Sequence, residues 1–393
     1  MPHTPTAFRR LVEPLDRRLV RRIAERHGAN HGVGSGPRAW TVERHLNALL
    51  FAQFAGLNSL REIEQALAAR PQALYHMGLR LARRSTLADA LSNRPAAVFG
   101  DLAGHLAGRA SRRLRQDGQA LVQLLDASPI ALRDPRFVWA EAEARVRGLK
   151  LHLLYDAHTQ CPVRFALCSA KRSEIAQART LPLEAGVTYV FDKGYTDYNW
   201  WHDILAAEAH FVTRLKTNAK RREIEERKPD GKQIIADRTL KVGHRHPRGG
   251  ATNRLWDTVL REVVVDRPDK KPLHLVTSDL ERPACEIAAL YKQRWEIELL
   301  FKWLKQNLKI KRFIGRSENA VKTQIFAALI AFILLRLFRQ GLARSTGASP
   351  KTLMARLKVA LFQAFDLSAQ TRPPPTPKTH PPTARQLSLD IKT

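Results

Sequence analysis

The sequence predicts an all-α N-terminal domain followed by an α/β core. Apolar residues recur at helical intervals up to about residue 115, whereas from Ala120 onward they alternate as in β-strands. Beyond Ala120 the predicted elements run in the order three strands, helix, strand, helix and strand. A chain of 393 residues is long enough for two or three domains, each with its own core.

The N-terminal part is predicted to consist of short helices. An apolar run over residues 45–55 ends at Gly56, and Ser59 and Glu62 have the spacing of a capping box that opens the next helix. Several arginines lie near the predicted helix starts, as in a helix-turn-helix-like DNA-binding domain. They are Arg61, Arg80, Arg83, Arg84 and Arg94. A helical bundle with an ordinary basic surface is the alternative.

The second part of the chain has an ordered strand pattern. Strands are predicted at residues 120–126, 150–156, 162–168, 187–192 and 210–216. This order is that of an RNase H-like core, which has an antiparallel hairpin and parallel additions. An unspecified α/β sheet fits the pattern nearly as well.

These patterns divide the chain into predicted regions. We expect a helical domain over residues 1–115, an α/β domain over 116–345, a C-terminal helix over 346–367 and a disordered Pro-rich tail over 368–393. Within the α/β domain, residues from about 217 to 278 are polar and contain only weak strands, which are predicted at residues 233–236, 239–242, 255–265 and 273–277.

The charge of the chain points to a nucleic-acid partner. Lys and Arg number 66 against 37 acidic residues, a net charge of +29 that is unusual for a globular metabolic enzyme. Binding of such a chain to polyphosphate backbones is driven by counterion release. The basic residues are spread through every segment instead of flanking an apolar span, which favours nucleic acid over an anionic membrane.

The composition also favours a cytoplasmic protein. Cys161, Cys168 and Cys285 are too few and too dispersed for a disulfide framework or a four-ligand zinc site, and the N-terminus lacks an apolar secretory segment. The most apolar run, residues 325–335, is shorter than a membrane span and is predicted to be a buried core helix.

A long amphipathic helix is predicted from Ala284 to Lys305. At about 100° per residue, Tyr291, Arg294, Glu298 and Lys305 fall within a sector of about 60°. A different sector is apolar and should be buried, with Ile297, Leu300, Phe301, Leu304 and Leu308. One face would therefore pack while another presents a carboxylate, two cations and a phenol, although an ordinary solvated face is the alternative.

Three acidic residues stand where a metal-dependent site could form. Asp126 and Asp192 each end an apolar strand, and Glu298 lies on the polar face of the predicted helix. Mg²⁺ prefers carboxylate oxygens and keeps several waters, so two or three acids on rigid elements are enough to bind it. A single aspartate at a strand end is usually a turn residue. Asp156 and Asp197 are weaker candidates of the same kind.

The spacing of the signature residues is similar to that of a known family. Tyr291, Arg294, Glu298 and Lys305 are separated by two, three and six residues, which resembles the YREK signature of bacterial DDE transposases in the insertion-sequence family named for the fourth such element (the IS-four family). Residues 192–195, Asp-Lys-Gly-Tyr, resemble the second-acid motif of that family, and Asp126 resembles its first acid.

The resemblance implies a fold, a cofactor and roles for individual residues. It implies an RNase H-like catalytic core with a β-rich insertion between the second and third acids, at residues from about 217 to 278. In this core Mg²⁺, or Mn²⁺ in its place, would be bound by the catalytic acids Asp126, Asp192 and Glu298. It also implies that DNA phosphates are contacted by Tyr291, Arg294, Lys305, Arg214 and Lys216. Trp256 in the insertion could stack on a flipped base, although an ordinary packed tryptophan is the favoured interpretation.

The predicted function is cut-and-paste DNA transposition. The enzyme would hydrolyse the phosphodiester at the terminal inverted repeats and join the freed 3′-OH to target DNA by transesterification, acting as a homodimer on double-stranded DNA near the bacterial nucleoid. The resemblance leaves open whether this chain shares the hairpinned end through which relatives pass. Two alternatives use the same residues: a non-catalytic, decayed or domesticated DNA-binding protein, and a simple metal-dependent nuclease.

Overall fold

The structure is a computed structural model, and in the part of the chain that it describes seven α-helices precede the first strand. It describes residues 5–31, 33–34, 36, 39–115, 118, 120–140, 142–143, 146–247, 250–268, 270–307, 313–342 and 350–363. The N-terminal helices are α1 (Ala7–Val12), α2 (Arg17–Arg26), α3 (Val42–Ala55), α4 (Leu60–Ala68), α5 (Pro71–Leu74), α6 (Arg84–Asn93) and α7 (Ala96–Leu114).

Two of the predicted helix boundaries are confirmed. Gly56 ends α3 with a φ of 80°, a left-handed conformation that glycine adopts at no steric cost. Ser59 caps α4, since its hydroxyl accepts a hydrogen bond from the backbone N–H of Glu62 at 3.1 Å. The prediction for Arg94 is wrong: this residue is only 6% exposed, and its guanidinium donates to the carbonyl of Thr41, so it is not available to read DNA.

The strands of the core form one mixed sheet. They are β1 (Leu121–Ala131), β2 (Ala142–Glu143), β3 (Val146–Asp156), β4 (Cys161–Ser169), β5 (Val187–Phe191), β6 (His210–Arg214), β7 (Arg221–Arg227), β8 (Ile234–Val242), β9 (Leu260–Val265) and β10 (Leu273–Thr277). In space β4 lies beside β3, and the order continues β3-β1-β5-β6-β10-β9-β8-β7. Strand β3 is antiparallel to β1 and β4, whereas β1, β5 and β6 are parallel to one another. This confirms the RNase H-like order.

The β-rich insertion extends this same sheet. Strand β10 pairs antiparallel with β6, and β9, β8 and β7 follow as an antiparallel meander. The sequence pattern missed β7, because this exposed strand alternates charges and has Ile224 as its one apolar residue. It also divided β8 into two strands, whereas a single strand with an irregular register is present.

The remaining helices cover the sheet and complete the core. They are α8 (Glu174–Ala178), α9 (Tyr198–Ala206), α10 (Ala284–Gln293), α11 (Trp295–Asn307), α12 (Glu318–Leu342) and α13 (Pro350–Ala360). One face of the sheet packs against α10, α11 and α12 together with the N-terminal helices. The opposite face packs against α8 and α9, where Trp200 and Trp201 are fully buried against Phe191.

The long signature helix is broken into two. Helix α10 ends at Gln293 and α11 begins at Trp295, with Arg294 in a turn between them. Here the N–H of Arg294 donates to the carbonyl of Tyr291, and the N–H of Ile297 donates to that of Arg294. These bonds span three residues instead of four, which tightens the turn. The expectation of one continuous helix with a single functional sector is therefore wrong.

The buried positions on α11 and α12 follow the predictions. Ile297, Leu300, Phe301 and Leu304 are all at most 5% exposed, whereas Leu308 lies outside the described residues. Residues 318–341 form a helix that is longer than the predicted run and, by length and composition, apolar enough to cross a membrane, yet 78% of its most apolar window is buried inside the protein. It is a core helix, as predicted.

The predicted domain boundaries stay predictions. The N-terminal helices and α12 contribute to one continuous apolar cluster, and the Asn319 side chain on α12 accepts from the N–H of Ala96 and donates to the carbonyls of Leu91 and Arg94. The Pro-rich tail at residues 368–393 lies outside the described residues.

Candidate active site

Two neighbouring parallel strands bring Asp126 and Asp192 together. In the pairing of β1 with β5, the last partners are Leu125 and Phe191, and each aspartate is the next residue along its strand. Asp192 ends β5 as predicted, but β1 continues to Ala131, because its pairing with β3 extends past Asp126. The prediction that Asp126 ends its strand is therefore wrong, although the two carboxylates still leave the parallel pair at the same level.

The alternation of side chains aims both aspartates at one face of the sheet. Val122 and Leu124 on β1, and Val190 on β5, belong to the cluster that packs against α10, α11 and α12. Because successive side chains on a strand point to opposite faces, Asp126 and Asp192 share that face. The carboxylates therefore face the helices that carry the signature residues.

Helices α10 and α11 supply the partners of these acids. The phenol of Tyr291 donates to Oδ1 of Asp192 at 3.0 Å. The guanidinium of Arg294 lies between the other two acids, with Nη1 3.8 Å from Oδ2 of Asp126 and Nη2 2.7 Å from Oε1 of Glu298. The turn at Arg294 places this side chain, 13% exposed, between the sheet and α11.

The fourth signature residue anchors the far end of α11. The ammonium of Lys305 donates to the hydroxyl of Ser128 at 2.5 Å, two residues beyond Asp126 on β1. Together with Asp126 and Glu298 these residues line an open cleft of about 350 Å³. Lys302, one helical turn after Glu298, also lines this cleft. Sequence reasoning missed Lys302, although its spacing of four from Glu298 on a helix would have indicated it.

The environment of the site favours neutral forms of two groups. Burial raises the pKa of Asp126 to about 6, and the charges of Glu174 and Glu298 add to this effect, while the N–H of Ala127 and Arg294 oppose it. Burial, followed by the charge of Asp192, raises the pKa of Tyr291 well above its usual value, so the phenol keeps its proton and acts as a donor.

The acids offer the donor set that a hard cation prefers, but in this state they are engaged with basic and phenolic groups. Among the described residues no three His, Cys, Asp or Glu side chains are grouped closely enough to hold a metal ion. Instead, Arg294 supplies the positive charge between Asp126 and Glu298. Two aspartates at matched positions of adjacent strands fit a Mg²⁺ site in their oxygen chemistry.

The structure separates the two basic residues at the end of β6, Arg214 and Lys216. Arg214 ends β6, and its Nη1 lies 3.7 Å from Oδ1 of Asp192, so it belongs to the site. Lys216 is exposed and lines a different cleft of about 480 Å³ with Lys220 and Arg179.

The weaker acidic candidates have structural partners. Oδ1 of Asp156 accepts hydrogen bonds from the N–H groups of His158 and Thr159, which is the role of a turn residue. Asp197 caps α9 by accepting from the N–H of Trp200, and it is paired with Arg179.

The Trp256 side chain is partly exposed and contacts an arginine. Its ring is half-buried, and the guanidinium of Arg222 lies 4.6 Å from the ring centroid, a cation–π contact.

Comparisons with known proteins give matches over most of the chain. A family model described as a transposase DDE domain matches residues 117–334, and a model of a domain of unknown function matches residues 3–80. The chain is 41% identical over 300 residues to a protein of Sinorhizobium fredii named "Putative transposase y4zB", covering 75% of this chain and 82% of that protein. It is 25% identical over 231 residues to the "Probable transposase for insertion sequence element IS5377" of Geobacillus stearothermophilus, covering 58% and 59% of the two chains.

A solved structure is also similar to this chain. It is the cryo-EM structure of the piggyBac transposase synaptic complex with hairpin DNA, with a TM-score of 0.49 and 12% sequence identity over 96% of this chain and 86% of that chain.

Proposed function

Because this chain belongs to the DDE transposase family of insertion sequences, we propose that it moves its element by cutting and joining DNA. The observation that carries the proposal is the convergence of three acids and three basic or phenolic side chains at one end of the parallel strands. The acids are Asp126, Asp192 and Glu298, and their partners are Tyr291, Arg294 and Arg214. In this scheme water attacks the phosphodiester at a transposon end and releases a 3′-OH. That hydroxyl then attacks a phosphodiester of the target and displaces its 3′ oxygen, with no covalent enzyme intermediate.

Asp126, Asp192 and Glu298 would hold Mg²⁺, with Mn²⁺ as a substitute. When bound, the metal supplies Lewis-acid activation of the attacking oxygen and stabilisation of the leaving oxygen. For Glu298 to join the aspartates, Arg294 has to exchange its carboxylate contacts for a phosphate oxygen. The same guanidinium would then offset the charge that develops on phosphorus in the transition state.

The other signature residues position the DNA strand. Tyr291 orients Asp192 through its phenol, and Arg214 holds the same carboxylate from the β6 side. Lys302 and Lys305 line the cleft beside Asp126 and would bind the phosphates next to the cleaved bond. Because Lys302 and Lys305 lie successively farther along α11 from Glu298, they would contact phosphates successively farther along the DNA strand.

The proposal extends to partners and pathway. A net charge of +29 suits binding to double-stranded terminal repeats and target DNA. Pairing of two ends would require a homodimer in the synaptic complex, and a hairpinned end would be the intermediate of double-strand cleavage. The reaction would take place at the bacterial nucleoid, in the cytoplasm. Gel analysis of end-labelled products would contradict the hairpin step if only open ends appeared.

A cleavage assay tests the proposal directly. Purified chain would be mixed with Mg²⁺ and a labelled duplex that carries the inverted repeats flanking the gene, beside the variants Glu298→Gln and Glu286→Gln. Glu286 is an exposed acid in the first turn of α10, so its substitution controls for charge alone. Repeat-specific nicks and joined products in wild type and Glu286→Gln, but not in Glu298→Gln, would support the transposase.

Two other outcomes would favour the competing functions. Salt-sensitive binding of the repeats without cleavage by any of the three proteins would indicate a non-catalytic DNA-binding protein. Cleavage without joined products at any target concentration would indicate a simple nuclease.

A further inference from the structure

A fourth acidic side chain lies next to the candidate active site. Glu174 begins α8, which the hydroxyl of Ser173 caps by accepting from the N–H of Ala176 at 3.2 Å. Helix α8 packs against the short 3₁₀ turn Lys193–Tyr195, which directly follows Asp192. Sequence reasoning gave Glu174 no role, because it stands in an ordinary first-turn position of a short helix.

Gly194 makes room for this carboxylate. A Cβ atom built at Gly194 would lie 3.0 Å from Oε2 of Glu174, closer than almost all real contacts of that kind. The carboxylate of Glu174 therefore occupies the space beside the chain two residues after Asp192. The glycine in the Asp-Lys-Gly-Tyr segment thus has a physical reason, which is the approach of an acid from a separate element.

A buried hydroxyl points into the same region. Tyr195 is 1% exposed, and its hydroxyl has no hydrogen-bond partner among the described residues. Tyr195 lies in the turn that follows Asp192, since its N–H donates to the carbonyl of Asp192 at 3.0 Å, and α8, which carries Glu174, packs on this turn. Burial raises the pKa of Tyr195, and the charges of Glu174, Asp126 and Asp192 raise it further, so the hydroxyl keeps its proton. A buried donor without a hydrogen-bond partner destabilises the fold, because its desolvation is not compensated. A hydrogen bond to a ligand held among these acids would remove that destabilisation.

Glu174 reaches the site from a side different from that of Glu298. Helix α8 and Tyr195 pack with the cluster on the α9 face of the sheet, whereas α11 packs on the opposite face. The four acids thus approach the ends of β1 and β5 from two strands and from helices on both faces.

We propose that Glu174 is a positioning residue of the cation site. Asp126 and Asp192 bind the cation, and Glu174 and the Tyr195 hydroxyl together hold a water molecule that is coordinated to it. This inference rests on the proposed function, since it requires that the aspartates bind a cation. Mg²⁺ keeps several waters in protein sites, and side chains that orient its direct ligands change metal affinity by about 10–100-fold. A purely structural Glu174 would stabilise α8 without affecting the cation.

Calorimetric titration of the full chain with Mn²⁺ tests the proposal without DNA or catalysis. The variants are Glu174→Gln, Asp192→Asn and the control Glu286→Gln, whose exposed acid also occupies a first helical turn. We expect Mn²⁺ affinity to fall about tenfold or more in Glu174→Gln, to be lost in Asp192→Asn and to stay at the wild-type value in Glu286→Gln. Wild-type Mn²⁺ affinity in Glu174→Gln, with binding still lost in Asp192→Asn, would overturn this inference alone. Wild type that neither binds Mn²⁺ nor cleaves DNA would overturn the proposed function and this inference with it.

Substitutions of the neighbouring residues provide a second measurement. Gly194→Ala should displace the Glu174 carboxylate by a few tenths of an ångström and weaken Mn²⁺ binding in the wild-type background. It should have no further effect in Glu174→Gln, because the two changes act on the same carboxylate. Tyr195→Phe keeps the buried ring and should also weaken binding. Additive losses from Gly194→Ala and Glu174→Gln, or unchanged binding in Tyr195→Phe, would contradict the proposal.

Discussion

Asp126→Asn should stabilise the metal-free protein at pH 8 while it abolishes cleavage. Burial raises the pKa of Asp126 from 3.8 to about 6. The folded state therefore binds this proton more tightly than the unfolded state does. The stability that this protonated, buried carboxyl contributes is fully present below the unfolded pKa of about 4 and is lost as the pH rises through about 6. Above pH 6 the ionised carboxylate therefore lowers the free energy of unfolding, whereas an uncharged amide at the same position would not.

The size of this effect follows from the shift. Two pKa units correspond to about 3 kcal/mol. This shift is already the net effect, because it includes the attraction of the Arg294 guanidinium, whose Nη1 lies 3.8 Å from Oδ2 of Asp126. We therefore expect a gain of about 3 kcal/mol in unfolding free energy at pH 8, which declines between pH 6 and pH 4.

Urea unfolding in EDTA, followed by the fluorescence of buried Trp200 and Trp201, would measure the gain. Asp134→Asn is a control of opposite sign, because hydrogen bonds and the charge of Arg136 hold the pKa of Asp134 well below its usual value. That variant should be less stable than wild type at neutral pH. An Asp126→Asn variant that is no more stable at pH 8, or whose gain is the same at pH 4 and pH 8, would refute the reasoning.

Three further predictions concern the contacts around the acids and the insertion. Tyr291→Phe removes the hydrogen bond to Asp192 at 3.0 Å, so the free energy of unfolding should fall by about 1 kcal/mol and single-turnover cleavage should slow. If neither the free energy of unfolding nor the cleavage rate changed, the assigned contact would be contradicted. Arg261→Met removes the partner of the buried Asp237 carboxylate, to which two guanidinium nitrogens donate at 2.8 and 2.6 Å. The free energy of unfolding, measured with urea, should fall by about 3–5 kcal/mol, and adding Asp237→Leu to this variant should restore part of it. Mg²⁺ should raise the thermal midpoint of wild type but not that of Asp192→Asn, and an equal rise in both would argue against a cation at this position.

The local pattern of the sequence determined most of the elements. Short apolar runs, some of which alternate with polar residues, located β3, β4, β5, β6 and β10. The run of β5 placed Asp192 directly after that strand, and helical periodicity placed Ile297, Leu300, Phe301 and Leu304 in the core. These predictions succeed because burial of apolar area is imposed residue by residue along each element.

What the tertiary structure decided depends on partners distant in sequence. Strand β1 runs past Asp126 because β3 continues to supply hydrogen bonds, which no local pattern records. Arg94 is buried because α3 and α12 surround it, and the turn at Arg294 separates two helices that a single apolar period had joined.

The neighbourhood of the acids was likewise beyond the sequence. Glu174 comes beside Gly194 only through the packing of α8 on the turn after β5. The sequence by itself could identify which residue types are able to bind a cation and phosphates. Which of them meet is decided by strand register and helix packing, because contacts between distant segments are set by the global fold and not by local periodicity.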